Sequence, residues 1–461
     1  MGSFANRGNT ACLLGSDQRC CAFRSLAFSA PRVRSALPPT VNAPGVARTP
    51  HTLLLFKEVT SREALAQQDA ADPLASIRQH FYLPDGVIYL DGNSLGPLPW
   101  RTHLRLAVVL GGEWGDALIQ AWQSAGWLSL PQRIGDKIAR LIGAQPGEVI
   151  VADSTSINLF KVLFAALAMR PERRVIVTER ENFPTDLYIA QGLVEMLGNR
   201  HQLRMVERGA IAEAIDDDVA VLMLTHVCYR TGEMHDMAAL TAQAHARGAL
   251  TIWDLAHSAG AVPLDLAGAQ ADFAVGCGYK YLNGGPGAPA FLFVARRHQA
   301  DFQQPLKGWM GHAQPFAFEA TYKPADGITR ALCGTPPILA LTALECGVDI
   351  ALEASMDEVR AKSLALTDLF IALVDDLCAG CGLRLLTPRD HHRRGSQVSY
   401  AHPRAAAVMQ ALVARGVIGD FRPPDILRFG FAPLYLRYVD AWDAAHALAD
   451  VLRERSPNGA S

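Results

Sequence analysis

At 461 residues the chain is longer than one hydrophobic core usually organises, so two folded domains are the starting expectation. Half of its residues are hydrophobic and 19% are charged, which excludes a disordered chain, and a formal net charge of −2 leaves no nucleic-acid footprint. The longest apolar runs, such as Val219–Leu224, are too short to cross a membrane, and nine cysteines without regular spacing give no disulfide framework, so a cytoplasmic globular protein is expected.

The first 55 or so residues set Arg7, Arg19, Arg24, Arg32, Arg34 and Arg48 against one acid, Asp17, among many Ser, Ala and Pro. This resembles a transit peptide in composition, but it has neither a sustained amphipathic pattern nor an apolar signal core, so it reads as a floppy, disordered arm outside the fold. Folding signals begin near Asp72. A short helix leads to a strand-like run at Val87–Leu90 and then to the turn-rich string Asp91-Gly92-Asn93-Ser94-Leu95-Gly96-Pro97. Helical patterns follow at Trp100–Trp122 and Leu130–Ile142.

From Val149 onward, apolar runs alternate with amphipathic helices. Strands are predicted at Arg174–Thr178, Val219–Thr225, Leu250–Asp254, Phe273–Gly276 and Ala290–Val294. Between them lie helices at Thr155–Ala168, Thr185–Leu197 and Met237–Arg247, the last with Asp236 as N-cap and Gly248 just past its end. Buried, non-alternating strands separated by helices predict an α/β fold, a mostly parallel sheet covered on both faces. After about Gly311 the rhythm loosens into long helices near Pro336–Glu353 and Ser355–Leu377 and then shorter elements, which predicts a smaller α+β domain. The expected division is a large domain over 100–310 and a small one built from 56–99 and 311–461.

The most informative segment is Thr251-Ile252-Trp253-Asp254-Leu255-Ala256-His257, which sets an acid at the C-terminal end of a buried strand, where ligand crevices of open α/β sheets lie. A second strand ends in Tyr279-Lys280-Tyr281-Leu282-Asn283-Gly284-Gly285. A lysine in such surroundings is costly unless its charge is used or lost, and a desolvated amine is what Schiff-base chemistry needs. Pyridoxal phosphate (PLP) also wants a carboxylate against its pyridine nitrogen, a role that Asp254 fits. Read blandly, Asp254 caps a helix and Lys280 sits on a solvated loop; it is the pairing of Asp-x-x-His with Tyr-Lys one strand later that favours the cofactor. Asp153-Ser154-Thr155-Ser156 opens a helix with hydroxyls and free N–H groups, which suits a phosphate and ordinary capping alike. Phe183-Pro184-Thr185-Asp186 places an aromatic just before another helix start, where its face could stack on a ring or simply pack.

These strings resemble kynureninase. The likeness is carried by Gly92-Asn93-Ser94-Leu95-Gly96, Thr155-Ser156-Ile157-Asn158-Leu159, Phe183-Pro184-Thr185-Asp186, Tyr229-Arg230-Thr231-Gly232, Asp254-Leu255-Ala256-His257, Tyr279-Lys280-Tyr281-Leu282-Asn283 and Gly308-Trp309, and it runs from about Asp72 to the C-terminus. The resemblance implies a fold-type I PLP enzyme, like aspartate aminotransferase, that hydrolyses the Cβ–Cγ bond of L-kynurenine or 3-hydroxykynurenine to anthranilate or 3-hydroxyanthranilate and L-alanine, in tryptophan degradation. It implies that Lys280 holds PLP covalently and shuttles protons with Tyr279, that Asp254 meets the pyridine nitrogen, and that Phe183 stacks on the ring. Pro184, Thr185, Asp186, His257, Thr155, Ser156 and Thr225 would complete the cofactor shell, joined by Trp309 and Thr335 from the second subunit of a homodimer. Arg428 would fork onto the substrate carboxylate beside Asn93 and Ser94, with the Asn93–Gly96 loop serving the neighbouring subunit. Gly334-Thr335 stands where family members preferring 3-hydroxykynurenine carry Ser-Asn, so the unsubstituted substrate is expected to be favoured.

Two other readings compete. A cysteine desulfurase would need a nucleophilic thiol, for which Cys333 is the candidate, but such enzymes usually carry His where this chain has Tyr279. A non-catalytic PLP-fold binding protein should have lost Lys280 or Asp254, and both are present. Cys378 and Cys381 have no second pair to make a metal or redox site and read as incidental thiols at a helix end.

Overall fold

In the computed structural model, which describes residues 61–454, six strands are buried along their whole length: β1 (Val149–Val151), β2 (Val175–Glu179), β4 (Val219–Thr225), β5 (Leu250–Asp254), β6 (Phe273–Gly276) and β7 (Phe291–Val294). With the edge strand β3 (Gln202–Val206) they form one sheet in the order β1-β7-β6-β5-β4-β2-β3. Strands β2 to β6 are mutually parallel, whereas β7 runs antiparallel to both β6 and β1.

Alternate side chains of the central strands feed two separate cores, as strand geometry requires. Val177, Leu222, Leu224 and Trp253 pack with helices α1 (Leu130–Leu141) and α4 (Met237–Ala246) on one face. Ile176, Val221, Met223 and Ile252 pack with α2 (Thr155–Ala168) and α3 (Pro184–Met196) on the other. Burial on both faces explains why these strands read as continuous apolar runs. The basic N-terminal arm lies outside the described residues, among which no helix is long and apolar enough to cross a membrane.

A second, antiparallel sheet is built from β8 (Arg384–Leu385), β9 (Gln397–Ala401), β10 (Asp420–Arg422) and β11 (Ile426–Gly430) in the order β10-β11-β9-β8. Helices α5 (Ile338–Ala351) and α6 (Met356–Leu377) precede it, and α7 (Tyr438–Glu454) packs back on α6. Ile88–Tyr89 pairs in parallel with Val417–Ile418, which carries the Asp91–Gly96 loop to the large sheet. There Gly96 N–H donates to the Tyr279 carbonyl at 2.8 Å, and a Cβ on Gly96 would stand 2.5 Å from the Lys280 carbonyl oxygen. Only glycine fits that approach.

Three elements differ from expectation. A helix at Arg62–Ala71, capped by Ser61, precedes the expected start near Asp72. The stretch Trp100–Trp122 is not one helix: the α-helix stops at Val108 and widens into a π-helical turn over Val109–Asp116, where Gly111, Gly112 and Gly115 weaken the helical preference. The sequence reading also lacked β3, whose half-exposed residues carry no apolar run.

Helices α1 and α5 are joined by Arg133 and Lys137, both 2.8 Å from Glu345, with Lys137 also 2.7 Å from Asp349. Burial pushes the Glu345 carboxyl up, but the bonds from Arg133 and Lys137 outweigh it and hold the group down at about 2. Because the folded-state value lies below the unfolded one, this contribution is full above about pH 4.5 and disappears as pH falls towards 2. Glu345→Gln should therefore cost about 1–3 kcal/mol at pH 7 by urea unfolding, and the difference from wild type should shrink below pH 4.

Candidate active site

The site lies at the C-terminal ends of the parallel strands, where β4, β5 and β6 end in Thr225, Asp254 and, four residues on, Lys280. A cavity of about 190 Å3 there is lined by Thr155 and Ser156 from the start of α2, and by Phe183, Thr185 and Asp186 from the start of α3. Thr225, Asp254, His257, Tyr279 and Lys280 complete the wall. Pro184 is the first residue of α3 and does not line the cavity.

Its floor is strongly acidic. Asp254 and Asp186 are fully buried and lie 3.4 and 3.3 Å from the Thr225 hydroxyl. Asp254 also accepts from Ala256 N–H at 2.8 Å. Burial first, and for Asp186 the neighbouring Asp254 next, raise both carboxyls above the ordinary carboxylate range, while Lys280 lowers them. Asn182, which the sequence motifs did not single out, accepts a hydrogen bond from the Thr225 hydroxyl at 2.5 Å and donates to Thr178 at 3.1 Å, which fixes this group of side chains.

The Lys280 Nζ stands 2.9 Å from His257 Nε2. Burial, then Lys280, lower His257 well below its usual value, so the ring is neutral and accepts from the ammonium. His257 Nδ1 is buried with no partner among the described residues. Burial raises the Tyr279 phenol to about 12 and keeps it protonated at neutral pH. The Phe183 and Tyr229 rings meet in a T-shaped arrangement at 5.1 Å, and both line the cavity.

These residues fit PLP. A protonated ring nitrogen would favour the charge that burial disfavours on Asp254 and Asp186, and His257 Nδ1 is a free polar partner. The first N–H groups of α2, with the Ser154, Thr155 and Ser156 hydroxyls, suit a phosphate.

A smaller adjoining cavity of about 120 Å3 shares Phe183, Tyr229, His257, Tyr279 and Lys280 and adds Asn93, Ser94, Arg422 and Arg428. Arg428 is 1% exposed and donates to Ser94 Oγ and Asp420 Oδ2, both at 2.5 Å, and to the Tyr229 carbonyl at 2.8 Å. Asn93 and Ser94 thus reach the site of their own chain, which corrects their expected placement in the neighbouring subunit's site. The cause is the pairing of Ile88–Tyr89 with Val417–Ile418, which anchors the loop within one chain. Asp420 and Arg422 were missed, because their signal lies in the hairpin of β10 and β11, where Asp420 pairs directly with Arg428 and shares its face with Arg422.

Trp309 and Thr335 are not brought to Lys280. Thr335 lines a separate cavity of about 360 Å3 with Cys333 and Gly334, and Trp309 packs edge-on against Phe316 near the surface. Cys333 is thus no nucleophile for this chain's lysine pocket, and Cys378 and Cys381 lie at the end of α6.

The fold matches an apo cysteine desulfurase from Thermococcus onnurineus NA1 with TM-score 0.70 and 19% identity, covering 82% of this chain and 98% of that one. It also matches the C-DES protein with glycine covalently linked to its PLP cofactor, with TM-score 0.67 and 17% identity over 81% of this chain and 99% of that one. Fold and site together define a PLP-dependent enzyme of fold type I. A family model described as the kynureninase C-terminal domain matches residues 359–448. Kynureninases of Burkholderia pseudomallei (strain K96243) and Pseudomonas fluorescens are 58% and 56% identical, over 85% and 86% of this chain and 95% and 97% of their own lengths. The chain belongs to the kynureninase family.

Proposed function

We propose that this protein is a kynureninase, hydrolysing the Cβ–Cγ bond of L-kynurenine to anthranilate and L-alanine. The observation that carries the reading is the Lys280–His257 pair above the buried Asp186 and Asp254, in a chain so similar to kynureninases over nearly their whole length. When bound, PLP supplies an electron sink that acidifies the carbons of an attached amino acid. Asp254 and Asp186 would face the ring nitrogen and polar edge, Phe183 the ring face, and Thr155 and Ser156 the phosphate. Lys280 Nζ would act as base and then acid at the substrate's α-carbon, oriented by its 2.9 Å bond to a neutral His257. The Tyr279 hydroxyl, protonated at neutral pH and lining the same cavity, would donate a proton to Cβ when its bond to the carbonyl carbon breaks. Water supplies the hydroxyl that ends on anthranilate.

The test is release of anthranilate fluorescence from L-kynurenine alongside a sulfide assay with cysteine. Anthranilate without sulfide is expected, with 3-hydroxykynurenine the poorer substrate by one to two orders of magnitude in kcat/KM, since Thr335 offers a buried ring hydroxyl only part of what a Ser-Asn pair would. Sulfide in place of anthranilate would overturn the reading.

The same reading includes a cytoplasmic homodimer with shared sites and the division of the chain at about residues 100 and 310. Leu104, Val108, Trp114, Leu118 and Ile119 are all more than half exposed, an apolar surface that suits a subunit interface. Trp309 and Thr335, away from Lys280 in their own chain, are free to serve the other subunit's pocket. Mixing inactive Lys280→Ala with an impaired Thr335→Ala variant should then restore up to about a quarter of wild-type activity to the mixture, because about half of the reassorted dimers are mixed and one of the two sites in each carries both native residues. A fully active monomer by sedimentation would contradict it.

A further inference from the structure

Arg428 is nearly used up within its own chain. Of the five N–H groups of a guanidinium, the two on Nη2 go to Ser94 and Asp420, and one on Nη1 goes to the Tyr229 carbonyl. Nε lies 3.2 Å from the Asn93 amide, whose oxygen can turn to accept it. One N–H remains. A two-bonded fork on a substrate carboxylate would require Arg428 to give up Asp420 or Ser94, leaving a buried carboxylate or hydroxyl short of a partner.

Arg422 is in the opposite condition. It lines the same small cavity, one third exposed, and reaches Asp420 Oδ2 at 2.7 Å and Ser94 Oγ at 3.3 Å through Nη2 alone. Its Nε is buried with no partner among the described residues, and so is Asp420 Oδ1. The β10–β11 register sets Arg422 opposite Ile426 and Asp420 opposite Arg428, so both arginines lean on one carboxylate from the same face of the sheet.

We propose that Arg422 is a second carboxylate-binding residue, so that the substrate's α-carboxylate lies between Arg422 and the remaining N–H of Arg428, while Asp420 positions both guanidinium groups. This rests on the reading of the substrate as an amino acid, though not on the fate of its side chain. Arg422, at the mouth of the cavity, then makes first contact with the incoming anion, and Arg428 fixes its final orientation.

The test titrates the PLP-loaded enzyme with L-alanine, the product amino acid, and with ethylamine, the same amine without a carboxylate, reading the absorbance of the bound cofactor. Arg422→Gln should weaken L-alanine binding at least tenfold and leave ethylamine within about twofold. KM for L-kynurenine should rise by a similar factor, with kcat within about threefold. Arg422→Lys, which keeps the charge but cannot serve Asp420 and the ligand together, should fall between Arg422→Gln and wild type, and it carries the test should Arg422→Gln fail to fold. Unchanged L-alanine affinity, or equal weakening of both ligands, overturns the proposal. Absence of anthranilate with the wild-type enzyme would instead overturn the assigned reaction, and the alanine titration would still judge Arg422.

Discussion

The Lys280→Ala variant is expected to lose at least about three orders of magnitude in kcat/KM, because one side chain supplies both the covalent hold on the cofactor and the proton transfer at the substrate. Borohydride reduction of the wild-type enzyme should fix the cofactor's mass on the peptide containing Lys280, and the variant should carry no label after the same treatment. The other buried lysines sharpen the expectation. Lys161 is wholly buried but ion-paired to Asp153 at 2.5 Å and bonded to the Ala331 carbonyl at 2.8 Å. Lys362 is held by Asp72 at 2.5 Å and by the Pro433 carbonyl. Each is held by a carboxylate, and Lys362 serves one, Asp72, that would be left buried and unpaired without it. Lys280 instead bonds to the His257 imidazole at 2.9 Å and lines the cavity, so its nitrogen is open to the cofactor. Label on any other lysine, or activity within tenfold of wild type, would overturn the assignment.

Much of this was legible in the sequence, for reasons visible in the structure. The central strands were found because a strand buried on both faces must be apolar throughout, and Val219–Thr225 and Leu250–Asp254 fall where that rule places them. Asp254 and Lys280 stood out because a charge at the end of such a strand contradicts its surroundings. What escaped obeys the same logic in reverse. β3 is an edge strand with polar alternation, and Asn182 is an ordinary polar residue whose importance comes from the two side chains, Thr178 and Thr225, that meet it. The Arg428 environment was only half read: its motif pointed to a carboxylate, but the carboxylate already beside it, Asp420, becomes visible only once β10 and β11 are paired in register. Spacing along the chain carries local geometry well, and it carries the saturation of a side chain's hydrogen bonds hardly at all.

Asp254→Asn should separate function from stability. The amide keeps the shape of the carboxyl, and its oxygen can still accept from Ala256 N–H, but it cannot hold a proton on a pyridine nitrogen. Removing one partner of a buried, hydrogen-bonded charge pair costs about 2–5 kcal/mol, which corresponds to a loss of roughly 30-fold to several thousand-fold in kcat. PLP should remain attached to Lys280, since the phosphate end and the lysine are untouched. The cofactor-free protein should respond in the other direction. There Asp254 and Asp186 are two buried acids leaning on one hydroxyl; burial disfavours charge on both, and Asp254 adds repulsion on Asp186. Replacing one of them with a neutral amide relieves that cost, so the urea midpoint of the apo variant should equal or exceed that of apo wild type at pH 7, with the gain fading as pH falls and the carboxyls become protonated. An active site that sacrifices stability for its chemistry predicts this pairing of outcomes. Kinetics of the holoenzyme and urea unfolding of the apoenzyme decide it: kcat within threefold of wild type, or an apo variant clearly less stable than its parent, would remove Asp254 from the role argued for it.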